Sequence, residues 1–149
     1  MTLNRISLFT VKRLLLPFIL IASFSCKKSN VEDRIPVVPV SVTIYLNLPS
    51  YSALNVVGNY AKVAGGYRGI IVYRRSQTEF AAFDLACPYD PSAAGAVLEV
   101  DSSGVTMVDN HCGSKFSLAY GSVLKGPATS PMKAYNTDYD GNNIVYIYN

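Results

Sequence analysis

The sequence predicts an all-β domain, an antiparallel sandwich or barrel, and three observations carry that expectation. From Ser41 onward, apolar and polar residues alternate with period two. The alternating positions are filled by β-branched and aromatic residues, which suit a pleated, half-buried surface. Turn signals recur at short intervals, while long stretches of helical period are missing.

The elements follow in order. Val42, Ile44 and Leu46 alternate with Thr43 and Tyr45 as a half-buried strand. Tyr60 to Ala64 runs into Gly65-Gly66, a hairpin signal, and then into Tyr67 to Arg74. Ser76-Gln77-Thr78 turns the chain into Glu79 to Leu85. Ala96 to Val100 and Val105 to Val108 flank the turn Asp101 to Gly104, and Asp140-Gly141 precedes the last strand, Ile144 to Tyr148. About nine or ten short strands result. The tyrosines other than Tyr89 need no functional reading, since a strand tyrosine buries its ring and leaves its hydroxyl wet.

The N-terminus is a separate matter. Arg5, Lys12 and Arg13 precede the apolar run Leu14 to Ala22, the pattern of a secretory signal too short to span a bilayer comfortably. Ser23-Phe24-Ser25-Cys26 follows and resembles a bacterial lipobox, with Ser23 where leucine is usual. The expectation is a signal peptide over residues 1–25, a lipidated Cys26 with a tether over residues 26–40, and the domain over residues 41–149. Acyl chains would hold it to a membrane at about 0.8 kcal/mol per buried methylene. An exported periplasmic or outer-membrane lipoprotein of a Gram-negative bacterium follows from that reading. Residues 1–25 hold three of the 13 basic residues and none of the ten acidic ones, so the remaining chain carries ten of each. Without a basic stripe, a nucleic-acid partner is disfavoured.

Two segments carry the chemistry. The first is Ala86-Cys87-Pro88-Tyr89-Asp90-Pro91. The second is Asp109-Asn110-His111-Cys112-Gly113-Ser114-Lys115-Phe116, followed by Gly121, Gly126-Pro127-Ala128, Pro131-Met132 and Tyr135. This order resembles the Rieske pattern Cys-x-x-His-Gly-Ser-x-Phe, Gly, Gly-Pro-Ala, Pro-Leu, Tyr, and the resemblance covers about residues 68 to 135. It is also to Rieske-like lipoproteins of Bacteroidetes type. It implies two loops side by side at one end of the fold, a [2Fe–2S] cofactor and an electron-transfer role. In the four ligand slots stand Cys87, Tyr89, Asp109 and Cys112, so only Cys87 keeps the family's ligand type. A Rieske centre needs two histidines on one iron and two thiolates on the other, and this chain has one histidine, His111. A standard cluster is therefore not expected from this chain alone.

The resemblance brings the thiols of Cys87 and Cys112 face to face, and three readings stay open. One is a disulfide, which would close a loop of about 25 residues and stabilise the domain by roughly 3 kcal/mol. Another is a metal site of Cys87, His111 and Cys112, with Asp109 as a further donor, suited to mononuclear zinc or iron. The last is a pair of free or redox-switching thiols. The working expectation is a cofactor-free, disulfide-clipped binding or structural module presenting Tyr89, Asp109 and His111 to a protein partner. The alternative is an electron-transfer protein with non-standard ligands. No Gly-x-Ser-x-Gly elbow or phosphate-binding glycine loop argues for an enzyme.

Overall fold

The computed structural model describes residues 35–149. The expected signal peptide, Cys26 and most of the expected tether lie outside the described residues. Ten strands are found among them: β1 Ser41–Tyr45, β2 Tyr60–Val63, β3 Ile70–Arg74, β4 Phe80–Asp84, β5 Leu98–Val100, β6 Thr106–Asp109, β7 Lys115–Ser117, β8 Val123–Lys125, β9 Ala134–Tyr139 and β10 Ile144–Tyr148. A 3-10 segment, Pro49–Asn55, follows β1. One sheet has six strands in the order β1-β10-β9-β4-β3-β2, and the other has four in the order β5-β6-β7-β8. The paired strands are antiparallel throughout.

Side-chain alternation along β3 and β4 creates two cores. Ile70, Val72, Phe80 and Ala82 join Ile44, Leu54, Val145 and Ile147 in one cluster. The intervening Ile71, Ala81 and Phe83 join Leu98, Met107, Phe116 and Leu118 in the other. All five residues of β4 are buried, as expected of a strand covered on both faces. The first cluster also takes Val63 from β2 and Ile44 from β1, the two edges of the six-stranded sheet. That sheet therefore curls around a common interior, with Leu54 of the 3-10 segment inserted into it. The second cluster, between β3–β4 and the four-stranded sheet, lies directly beneath the two motif segments.

One buried carboxylate ties these parts together. Asp84, fully buried at the end of β4, accepts hydrogen bonds from the backbone N–H groups of Tyr67 at 2.6 Å, Arg68 at 3.1 Å and Ala86 at 2.9 Å. The phenol of Tyr135 on β9 donates a fourth, at 2.6 Å. The sequence pattern runs β3 through Tyr67, but the strand begins at Ile70. The reason is that the Tyr67 and Arg68 N–H groups are committed to Asp84 rather than to a neighbouring strand. The Gly65-Gly66 signal accordingly yields a six-residue connection, residues 64–69, between Val63 and its partner Ile70. Gly66, at φ +64°, passes so close that a Cβ there would stand 2.5 Å from the Asp84 carboxylate and 2.6 Å from the Tyr135 hydroxyl.

Burial, and then the hydrogen bond to Asp84, push the Tyr135 phenol well above its ordinary value of 10.0. Its neutral form is the one the fold holds. The stability this supplies is complete below pH 10 and is lost as pH rises above it, where the unfolded chain ionises first. Tyr135→Phe should cost about 1–3 kcal/mol at neutral pH, by leaving a buried carboxylate one donor short. The same variant should flatten the alkaline limb of a stability-versus-pH curve measured by urea unfolding. Gly121→Ala should cost roughly 2–4 kcal/mol in the same assay, because Gly121 sits at φ +69° with buried Phe83 only 2.6 Å from where the Cβ would stand.

Candidate functional site

The first motif segment leaves β4 at Asp84 and is held at its base by backbone pairing. Ala86 bridges to Val97, the Leu98 N–H donates to the Leu85 carbonyl at 2.7 Å, and the Cys87 N–H donates to the Ala96 carbonyl at 3.4 Å. The excursion between these pairs is clamped from outside. The Arg68 guanidinium donates to the carbonyls of Pro91 at 3.2 Å, Ser92 at 3.3 Å and Ala93 at 3.4 Å. Cys87 points into the second core and is fully buried, whereas Tyr89 is 37% exposed.

The second motif segment is the turn between β6 and β7. Asp109 ends β6 buried, and its Oδ1 accepts the His111 N–H at 2.7 Å and the Cys112 N–H at 3.4 Å. A carboxylate that accepts hydrogen bonds from the two and three residues after it stabilises a tight turn. The turn closes with the Gly113 N–H on the Asp109 carbonyl at 2.8 Å and the Asp109 N–H on the Ser114 carbonyl at 2.9 Å. A third segment is attached through Ser114, whose Oγ accepts the Ala128 N–H at 2.9 Å.

These turns bring three donors together. Cys87, Asp109 and Cys112 each offer one ligand atom, all within 4.8 Å of one another. The two sulfurs are 3.7 Å apart. Cys112 Sγ lies 3.3 Å from Asp109 Oδ2 and 3.0 Å from Ser114 Oγ, and the Ser114 N–H points at the same sulfur from 3.4 Å. A thiol has one proton to give and a carboxylate only accepts. The arrangement is satisfied when the thiol donates to Asp109 and the Ser114 hydroxyl donates to the sulfur. The sequence expectation of a Cys87–Cys112 disulfide is not met: both cysteines are free, and 3.7 Å is well beyond the roughly 2.05 Å of an S–S bond. The structure gives Cys112 sulfur polar neighbours in place of that bond.

Burial pushes the Cys87 thiol far above its ordinary value of 9.0, and its hydrogen bond to Asp109 adds to the rise. A donor from the Tyr89 backbone opposes it, while the Asp109 charge and the Cys112 thiol act with the burial. His111 is exposed and lies outside the donor group, to which Asp109 belongs instead. Ser114 is the residue whose role sequence reasoning misses. It is fully buried and links Cys112 to the third segment, and only its place directly after Cys112-Gly113 could have marked it.

No protein-family model and no curated protein matches the sequence. Among solved structures, the chain is similar to the plasma membrane Rieske protein PetC3 of the cyanobacterium Synechocystis PCC 6803. That match has 24% identity and a TM-score of 0.53, over 70% of this chain and 97% of that one. A complex of reduced oxygenase and oxidized ferredoxin in carbazole 1,9a-dioxygenase aligns at 19% identity and TM-score 0.49, over 73% and 93% of the two chains. The ferredoxin of carbazole 1,9a-dioxygenase from Nocardioides aromaticivorans IC177 aligns at 17% and 0.47, over 76% and 100%. With two antiparallel sheets and paired loops at one end, the domain has the Rieske-like fold.

Proposed function

We propose that this Rieske-like domain is a metal-binding module that holds one thiophilic divalent ion, zinc or ferrous iron, between Cys87, Asp109 and Cys112. The observation that carries the reading is the spacing of the donors. Two thiolates bound to one tetrahedral ion at about 2.3 Å stand roughly 3.8 Å apart, and a thiolate and a carboxylate oxygen roughly 3.5 Å. The corresponding separations here are 3.7 Å and, for Cys112 with Asp109, 3.3 Å. Two thiols and a buried carboxylate are also the donor chemistry such ions select. The second-neighbour contacts of Ser114 and of the Asp109 turn would fix the ligands in place.

A two-iron cluster does not fit these residues. It calls for two donors on each iron, histidines on one and thiolates on the other. Here the single histidine is exposed and outside the donor group. The two sulfurs are separated by the span of ligands on one ion, and Asp109 alone does not make up the second pair of donors that a second iron requires. The test is titration of the reduced protein with cobalt(II), used as a spectroscopic stand-in for zinc. A saturating one-to-one signal with sulfur-to-metal charge-transfer bands is expected, with loss of at least tenfold in affinity for Asp109→Asn and for Cys87→Ser, the latter retaining no more than the band intensity of a single thiolate. Visible bands that bleach on dithionite in protein grown with iron would instead mean that a cluster assembles on other ligands, and the one-ion reading would be wrong.

We further propose that Cys26 is the lipid attachment point and that the domain works at a membrane surface, a reading supported by the charged and apolar stretches that precede it. Cys26→Ala should move the protein from the membrane fraction to the soluble fraction of cells that export it.

A further inference from the structure

The two thiols of the donor group are unequal, and the inequality points to an activity beyond ion binding. Cys87 is fully buried in the second core. Cys112 is only partly buried, on an exposed turn flanked by His111 and Gly113, and its sulfur faces the Ser114 N–H and Oγ. An oxidant arriving from solvent meets Cys112 first. The buried partner waits 3.7 Å behind it, close enough that forming a disulfide needs the sulfurs to close by about 1.7 Å. The Asp109 carboxylate beside Cys112 disfavours an anionic reagent, and the crowded sulfur disfavours a bulky one. A small neutral hydroperoxide meets both restrictions.

We propose that the tip reduces hydroperoxides with Cys112 as the attacking thiol and Cys87 as the resolving thiol, and that an ion held there is released in the process. The inference rests on the ion-binding reading only for the release. In the first step the Cys112 sulfur attacks the distal peroxide oxygen: the S–O bond forms, the O–O bond breaks, and the alkoxide leaves as alcohol with the Cys112 thiol proton, or with a solvent proton where the thiolate was ion-bound. Cys112 is then a sulfenic acid. Next the Cys87 sulfur attacks the Cys112 sulfur, the S–S bond forms and the S–O bond breaks. The hydroxide departs as water with the thiol proton, or with a solvent proton where the thiolates were ion-bound. Two thiols and one hydroperoxide give one disulfide, one alcohol and one water, and two electrons pass from sulfur to oxygen.

The experiment uses the full chain as Cys26→Ala, reduced and treated with one equivalent of hydrogen peroxide, with and without bound zinc. Intact mass, dimedone trapping and a chromophoric zinc chelator report the result, and circular dichroism checks the fold of each variant. A loss of two hydrogens is expected, with zinc appearing in step with it. Cys87→Ser, or Cys87→Ala if the serine does not fold, should stop at a dimedone adduct on Cys112. Cys112→Ser should react at least tenfold more slowly. Disulfide formation in a protein that binds no zinc would overturn the ion reading and leave this one standing. Zinc binding with no disulfide, or a Cys87 adduct formed at the wild-type rate in Cys112→Ser, would overturn this one.

Discussion

The fold depends on how the chain satisfies one buried carboxylate. Asp84 takes four hydrogen bonds from three separate parts of the chain: the connection after β2, the start of the first motif segment, and β9. A carboxylate buried without such partners would cost several kcal/mol, and with them it acts as a peg that sets where each part begins. Its position at the end of β4 places that peg three residues from Cys87. The reach of the first segment is thus fixed at its root by Asp84 and along its length by Arg68.

The donor group is built on turns, yet each turn is short and internally bonded. Asp109 shows the economy of the arrangement, since one carboxyl oxygen shapes the turn that carries Cys112 while the other faces the Cys112 sulfur. Ser114 does the same with a hydroxyl, accepting from Ala128 and facing the same sulfur. Groups that both shape the backbone and touch the donor atom hold it in place for an arriving ion. Preorganisation of this kind is what a selective site needs.

Much of this was legible in the sequence, and the parts that were not share a cause. The strands Ser41–Tyr45 and Ile144–Tyr148 announce themselves by alternation, and Phe80–Asp84 by a short apolar run of the kind covered on both faces. The motif frame correctly brings Cys87 and Cys112 together. What failed was non-local. Tyr67 and Arg68 read as strand, but a carboxylate 16 to 17 residues away takes their N–H groups. The 3-10 segment Pro49–Asn55 has no helical period to detect, and the burial of Leu54 with the bonds from Asn55 to the Leu46 carbonyl and from Arg74 to the Leu54 carbonyl holds the chain coiled there. Ser114 looks generic until the fold places its hydroxyl against a sulfur. The disulfide reading came from the resemblance that sets Cys87 against Cys112 and from their even number; the sulfurs do stand close but unbonded, and neither argument shows that Asp109 and Ser114 also face the Cys112 sulfur.

The shared wall formed by β3 and β4 has a consequence for how the molecule comes apart. Neighbouring residues of these strands face opposite interiors, so neither interior can open while the other keeps its full lining. The four-stranded sheet with its thiol-bearing turn and the curled six-stranded sheet are therefore coupled as one cooperative unit. Hydrogen exchange at Ile70, Ile71 and Val72 would then report a single global opening, with the same free energy on both sides of the wall.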